Sequence, residues 1–502
     1  MYKQKQTAGF ILLSLLLTGA LALGGCSGAK SSVWPGYQDE GKEPPYEAPG
    51  TNGETYLAID ENRETAAGEA STVTFSLKVD TAAYANVTRY LESGNLPPKD
   101  AVRTEELLNY FRYEGKLEEA DAPFSVYTEI GPSPFHQEKQ MAFIRVKTPD
   151  IDKNELPPCN LTFLIDTSGS MDSYDKLPLL KTAFSLLVET LSEEDKVSIV
   201  TYAGSSQVVL DSVSGADKTA ILDAIYNLTA QGSTAGADGI RTAYALAEKN
   251  FKEGGNNRVI LATDGDFNVG ISSTRKLADF ISEKRDGGVY LSILGFGTGN
   301  LRDDVMETLS KNGNGNYAYI NSVQTAKKVL VEELGGSLFT VADDVKAQVV
   351  FDPALVKTYR LIGYENRLLS NEDFEDDAKD AGEIGAGTDV VAMFELELYD
   401  REAAEGQSPF EVRIRYKTPG ESESRLLTMA APDKGMDTPA STDFGFACSV
   451  AAFGHLLRES AYAGDADIGT VLSLAQDNIG RDPGGYRQEY VTLLKKYQQL
   501  AG

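Results

Sequence analysis

Leu161-Thr162-Phe163-Leu164-Ile165-Asp166-Thr167-Ser168-Gly169-Ser170 is the stretch that decides the fold. An apolar run of strand length stops at an acid, and two serines follow at alternate positions. A strand buried on both faces of a parallel sheet reads this way where it runs out into a loop. Outward from it, similar apolar runs recur at 197–202, 259–262 and 289–294. Amphipathic patterns of helical period fall between them at 177–191, 237–251 and 273–284. Strands alternating with helices predict a doubly wound, mostly parallel α/β sheet, assigned here to residues 156–337.

The loop after the first strand then lies at a carboxyl end of the sheet, where open α/β sheets bind ligands. Two more loops converge there: Gly232-Ser233-Thr234-Ala235, and Thr263-Asp264-Gly265-Asp266 after the 259–262 strand. Together they offer Asp166, Ser168, Ser170, Thr234 and Asp264. A hard divalent ion such as Mg²⁺ takes six oxygens and keeps some of its waters. Mn²⁺ accepts the same set. Three hydroxyls hold such an ion without cancelling its charge, so it stays electrophilic and open to an outside carboxylate. Each feature alone also has an ordinary explanation: Ser168 and Ser170 as helix caps, Asp264 as an Asx-turn with Gly265. Asp172, Asp238 and Asp266 beside the loops read as turn caps or field-tuning charges.

Asp-x-Ser-x-Ser, then a Thr in a Gly-flanked loop, then an Asp after a later strand resembles the metal-ion-dependent adhesion site of von Willebrand factor A domains. All five positions are present. The resemblance implies a Rossmann-like fold, and that Asp166 and Asp264 act largely through bound water. It also implies a binding device for an acidic group rather than an enzyme. Beyond this domain the chain, from about residue 56 to its end, resembles the bacterial YfbK-type lipoproteins. The matching runs are Val79-Asp80-Thr81-Ala82-Ala83-Tyr84-Ala85-Asn86-Val87, Leu96-Pro97-Pro98 and Asn109-Tyr110-Phe111. Later come Arg360-Leu361-Ile362-Gly363-Tyr364-Glu365-Asn366-Arg367, Gly382-Glu383-Ile384-Gly385-Ala386-Gly387, Val450-Ala451-Ala452-Phe453-Gly454 and Asp482-Pro483-Gly484-Gly485-Tyr486. Tyr84 and Tyr364 read as core plugs with a wet hydroxyl.

Alternating strand patterns flank the α/β region, at 71–79, 125–130 and 142–147 before it and at 345–351, 356–363, 390–398 and 411–416 after it. Segments 57–155 and 338–432 each have too few strands to close a core, so they are expected to pair into one antiparallel sandwich around the inserted domain. A helical region, 443–502, follows. At the other end, Lys3 and Lys5 precede an apolar run of 10–23 and then Leu23-Gly24-Gly25-Cys26. This order resembles the bacterial lipobox, with 1–26 as signal peptide and Cys26 as the acylated residue, carrying palmitate or a similar chain. Residues 27–56 read as a Gly/Pro-rich flexible tether. The expected location is the cell envelope, lipid-anchored to a bacterial membrane and facing away from the cytoplasm.

The remaining composition excludes more than it suggests. With 47 basic and 75 acidic residues the net charge is −28, which repels nucleic acid. Three Cys form no CxxC pair; Cys159 and Cys448 read as buried small hydrophobes, with a bridge between them open but unsupported. The two His stand in no metalloprotease motif, and no GxxxxGK[ST] cradle for a nucleotide occurs. Gly295-Phe296-Gly297-Thr298-Gly299 misplaces the third glycine of a dinucleotide loop and reads as a tight turn. Asn371-Glu372-Asp373-Phe374-Glu375-Asp376-Asp377 lacks EF-hand spacing and reads as a solvated acidic loop. The partner expected is an acidic group on an unidentified protein or envelope polymer. The alternative is an envelope-complex scaffold or assembly factor whose metal is structural and whose C-terminal helices dock the partner.

Overall fold

The computed structural model describes residues 53–502 except 79, 116–121, 151–156, 233–235, 266–272, 334–338, 405, 433, 436–438 and 502. Cys26, the signal peptide and most of the expected tether therefore lie outside the described residues.

Cys159–Asp166 sits inside a six-stranded sheet, in the order Tyr317–Ile320, Val289–Phe296, Asn256–Thr263, Cys159–Asp166, Lys196–Ala203, Ser205–Ser214. Neighbours are parallel except the last pair. The apolar run is continuous because both faces are covered. Leu161, Phe163 and Ile165 pack with Leu180, Phe184 and Leu187 of helix Leu177–Thr190. Leu164 faces the other way, among Ile240, Tyr244 and Ile281. The chain leaves Cys159–Asp166 toward Lys196–Ala203 on one side and returns to Asn256–Thr263 on the other. The strand order therefore reverses between Cys159–Asp166 and Asn256–Thr263, which opens a crevice at their carboxyl ends.

Two antiparallel sheets make the sandwich. One runs Thr65–Ala66, Val356–Ile362, Asp389–Leu398, Gln140–Lys147, Ser125–Pro132; the other runs Leu368–Leu369, Thr72–Ser76, Thr340–Phe351, Phe410–Lys417, Ser424–Ala431. Strands from before and after the α/β domain share ladders: Gln140–Lys147 with Asp389–Leu398, and Thr72–Ser76 with Thr340–Phe351. Phe75, Ile144, Val349, Phe394 and Ile414 fill the space between the sheets.

The outer face of the first sheet is closed by helices from both ends of the chain. Met141, Phe143, Val391 and Met393 meet Leu107, Leu108, Phe446, Ala447, Val450 and Tyr490. Helix Thr442–Arg458 has 14 of its 17 residues buried, so it is a core element and not a free docking surface. Deleting 443–502 would open this core. Among the described residues no helix is long and apolar enough to cross a membrane.

Several details differ from expectation. Glu54 and Tyr56, assigned to the tether, are buried: Glu54 pairs with Arg89 at 2.9 Å and accepts from Gly299 N at 2.9 Å. Ser205–Ser214, Tyr317–Ile320, Ser424–Ala431 and the helices Lys218–Tyr226 and Asp303–Asn312 were not marked by the sequence pattern. The Tyr364 hydroxyl is dry and donates to Val391 O at 2.8 Å. Cys159 and Cys448 are free thiols in separate cores, which leaves nothing to bridge them.

Candidate metal centre

Asp166 and Asp264 end adjacent strands on the two sides of the crevice, and both are fully buried. Ser168 N donates to Asp166 Oδ1 at 2.8 Å, and Thr263 Oγ1 donates to Asp166 Oδ2 at 3.4 Å. Ser168 is buried, but its side chain does not cap the short turn Gly169–Asp172. Its Oγ lies 2.9 Å from Ser170 Oγ, and Ser170 stands exposed at the rim. Gly265 N donates to Thr263 Oγ1 at 3.2 Å. These side chains share one polar pocket at the end of the crevice.

The third loop is tied to the first by its backbone. Gln231 N donates to Thr167 O at 2.7 Å, and Gly169 N donates to Gly232 O at 3.1 Å. Thr234, two residues further on, lies outside the described residues, as does Asp266. Asp172 and Asp238 are exposed beside the pocket. Burial pushes the Asp166 carboxyl up to about 6; the Ser168 hydrogen bonds oppose this and the Asp264 charge adds to it.

Sequence reasoning missed Lys176. Its Nζ donates to Asp264 Oδ2 at 2.7 Å, with the lysine side chain 9% exposed and the aspartate 0%. The stem lies on Gly297, where an added Cβ would come within 2.3 Å of Lys176 Cε. The glycine run 295–299 thus serves as a channel for this lysine, with φ +72° at Gly297 and +98° at Gly299. Nothing in Asp172-Ser173-Tyr174-Asp175-Lys176 signals a buried cation, because its position depends on a turn more than a hundred residues later. Tyr174, 87% exposed on the same loop, is a second rim residue without a sequence signal.

The donors suit a hard divalent ion. Two adjacent oxygens of an octahedron with metal–oxygen distances near 2.1 Å are about 3 Å apart, the spacing the two serine hydroxyls show. Two buried carboxylates against one ammonium leave the pocket with a net negative charge. Among the described residues no group of three or more His, Cys, Asp or Glu gathers elsewhere to compete for a metal. His136 and His455 are engaged on the sandwich side, by Glu395 at 2.8 Å and Arg360 at 3.0 Å respectively.

The von Willebrand factor type A domain description matches residues 160–332, and the von Willebrand factor description matches 50–142. The description "Uncharacterized protein YfbK, C-terminal" matches 336–500. The Escherichia coli (strain K12) protein YfbK is 41% identical over 469 residues, covering 88% of this chain and 80% of that one. The Synechocystis sp. protein sll0103 is 26% identical over 310 residues, covering 60% of this chain and 71% of that one. A solved von Willebrand factor type A structure from Catenulispora acidiphila gives a TM-score of 0.42 at 14% identity, over 76% of this chain and 92% of that one. The chain belongs to the YfbK family and carries a von Willebrand factor type A domain within it.

Proposed function

We propose that this protein is a lipid-anchored, extracytoplasmic binding protein. It holds Mg²⁺ or Mn²⁺ at Asp166, Ser168, Ser170, Thr234 and Asp264, and it engages an acidic group on a partner protein or envelope polymer. The observation that carries the reading is the pairing of the Ser168 and Ser170 hydroxyls at 2.9 Å over two buried carboxylates at the strand-order reversal. A bound ion supplies an electrophilic centre for an external carboxylate. Ser168 and Ser170 offer it neutral oxygens, Asp166 and Asp264 fix the field behind them, and exposed Ser170 leaves the approach open. Both histidines lie with other partners, so the pocket supports binding better than hydrolysis. The anchor reading rests on Leu23-Gly24-Gly25-Cys26 alone.

The test is capture of envelope proteins and polymers by the purified protein in Mg²⁺ against EDTA. Asp264→Ala and the gentler Ser168→Ala/Ser170→Ala pair run alongside, each checked for folding. A ligand retained only with Mg²⁺ and intact hydroxyls supports the reading. A ligand retained equally in EDTA and by the folded serine variant rejects it. Loss of labelled palmitate incorporation in Cys26→Ser tests the anchor separately.

A further inference from the structure

A cavity of about 110 Å³ opens at the other end of the α/β sheet, against the sandwich. Arg258, near the start of Asn256–Thr263, lines it, about 20 Å along the strand from Asp264. Ile260, Leu294 and Leu330 give it apolar walls, while Ser292 and Asn316 stand beside the arginine.

Arg258 is 2% exposed and has little to hold it. Nε donates to Asn256 Oδ1 at a long 3.4 Å, Nη1 donates to Ser292 Oγ at 2.8 Å, and the guanidinium lies 5.4 Å from the Tyr290 ring centroid. Nη2 has no hydrogen-bond partner among the described residues. The acids of the cavity wall are already matched: Asp80 with Arg367 at 2.7 Å, Asp389 with Arg145 at 2.8 Å, and Glu333 with Lys328. The buried guanidiniums Arg103, Arg145 and Arg367 each make an ion pair; Arg258 makes none, and Glu383, whose charge reaches it, lies with Lys78 at 3.9 Å. Burial accordingly pushes Arg258 down to about 10, while the acids around Arg103 and Arg367 hold those two up. It stays charged at neutral pH. A buried charge without a counter-ion is costly, and a cavity at its open side is where an outside anion would supply one.

We propose that this cavity binds a small organic monocarboxylate with an apolar body. The carboxylate meets Arg258 Nη2 and the Ser292 hydroxyl, and the body lies on Ile260, Leu294 and Leu330. At about 30 Å³ each the volume holds about four waters, so it suits a carboxylate and the first few carbons attached to it.

Calorimetric titration of the full-length protein with hexanoate, acetate and neutral 1-hexanol tests this. The variants are Arg258→Met, which removes the charge, and Val329→Phe, which fills the half-exposed wall of the cavity and leaves the charge in place. The expected result is saturable one-to-one hexanoate binding that Arg258→Met weakens at least about tenfold, the loss of one charged hydrogen bond. Acetate should bind more weakly than hexanoate, Val329→Phe should abolish hexanoate binding, and Arg258→Met should melt no lower than wild type. Hexanoate that fails to saturate below about 10 mM overturns the proposal. So does equal binding by Arg258→Met, by Val329→Phe, or of 1-hexanol to wild type. An Arg258→Met protein that melts well below wild type without ligand would make Arg258 a structural residue and also overturn it.

Discussion

Lys176→Met should weaken the metal-free protein and tighten its hold on a divalent ion. The ammonium sits 2.7 Å from Asp264 Oδ2 with both side chains buried, and Asp264 faces Asp166 across the crevice. Methionine keeps the stem that fills the Gly297 channel and removes only the charge. Breaking one partner of a buried pair costs about 3–5 kcal/mol, because the remaining carboxylate loses its ammonium. A divalent ion at the neighbouring oxygens would restore part of that compensation. Recovering half of the lower figure, about 1.5 kcal/mol, corresponds to roughly tenfold tighter Mg²⁺ binding. Chelator-stripped wild type and Lys176→Met are to be titrated with Mg²⁺ calorimetrically and melted with and without it. The expected pattern is a lower metal-free Tm, a larger Mg²⁺-induced rise, and the smaller dissociation constant in the variant. Equal or weaker Mg²⁺ binding by Lys176→Met would show that the lysine does not contest the site, and would refute the reasoning.

Gly265→Ala should cost about 2–5 kcal/mol, since φ is +113° and a Cβ would lie 2.4 Å from Asn300 O and 2.7 Å from Leu301 Cα; urea unfolding measures it. Arg103→Met strands Asp303 and Glu106, each 2.6 Å from the guanidinium, and should lose about 3–5 kcal/mol at pH 8. That loss should shrink at pH 5, where the stranded acids take up protons, and an equal loss at pH 5 and pH 8 would contradict this account. His455, buried beside Arg360 and Arg458, is held down to about 3, below its ordinary 6.5. The unfolded chain therefore takes the proton first, and wild type should lose stability relative to His455→Gln as pH falls from 6.5 toward 3. The slope is at most about 1.4 kcal/mol per pH unit. Parallel urea curves for the two proteins across that range would contradict it.

The central strands could be read from sequence because burial on both faces leaves an uninterrupted apolar run, as in 161–165. Ser205–Ser214 could not, since it is an edge strand with no fully buried residue and with register shifts against its neighbour. Tyr317–Ile320 is four residues long, too short for any period to show. Of the candidate site, Asp166, Ser168 and Ser170 were legible as local spacing, and Asp264 as the residue that follows a neighbouring strand. Lys176 and Arg258 were hidden for a different reason. A lysine in a polar loop and an arginine at a strand's start both look solvated until distant segments close over them, here Gly297 for one and the sandwich for the other.

Helix Thr442–Arg458 is synthesised about 330 residues after Thr104–Asn109, yet the two share one core. The inserted domain packs both faces of its sheet from its own helices, apart from a few contributions from outside, and can condense as it leaves the ribosome. The surrounding frame cannot: Phe111 and Phe143 stay partly uncovered until Phe444, Phe446 and Tyr490 arrive. Nascent chains therefore pass through a long window in which a folded insert hangs between unfinished halves, sticky and open to proteases. A premature stop anywhere before the codon for Leu494 truncates this core, so late nonsense mutations should be as damaging as early ones.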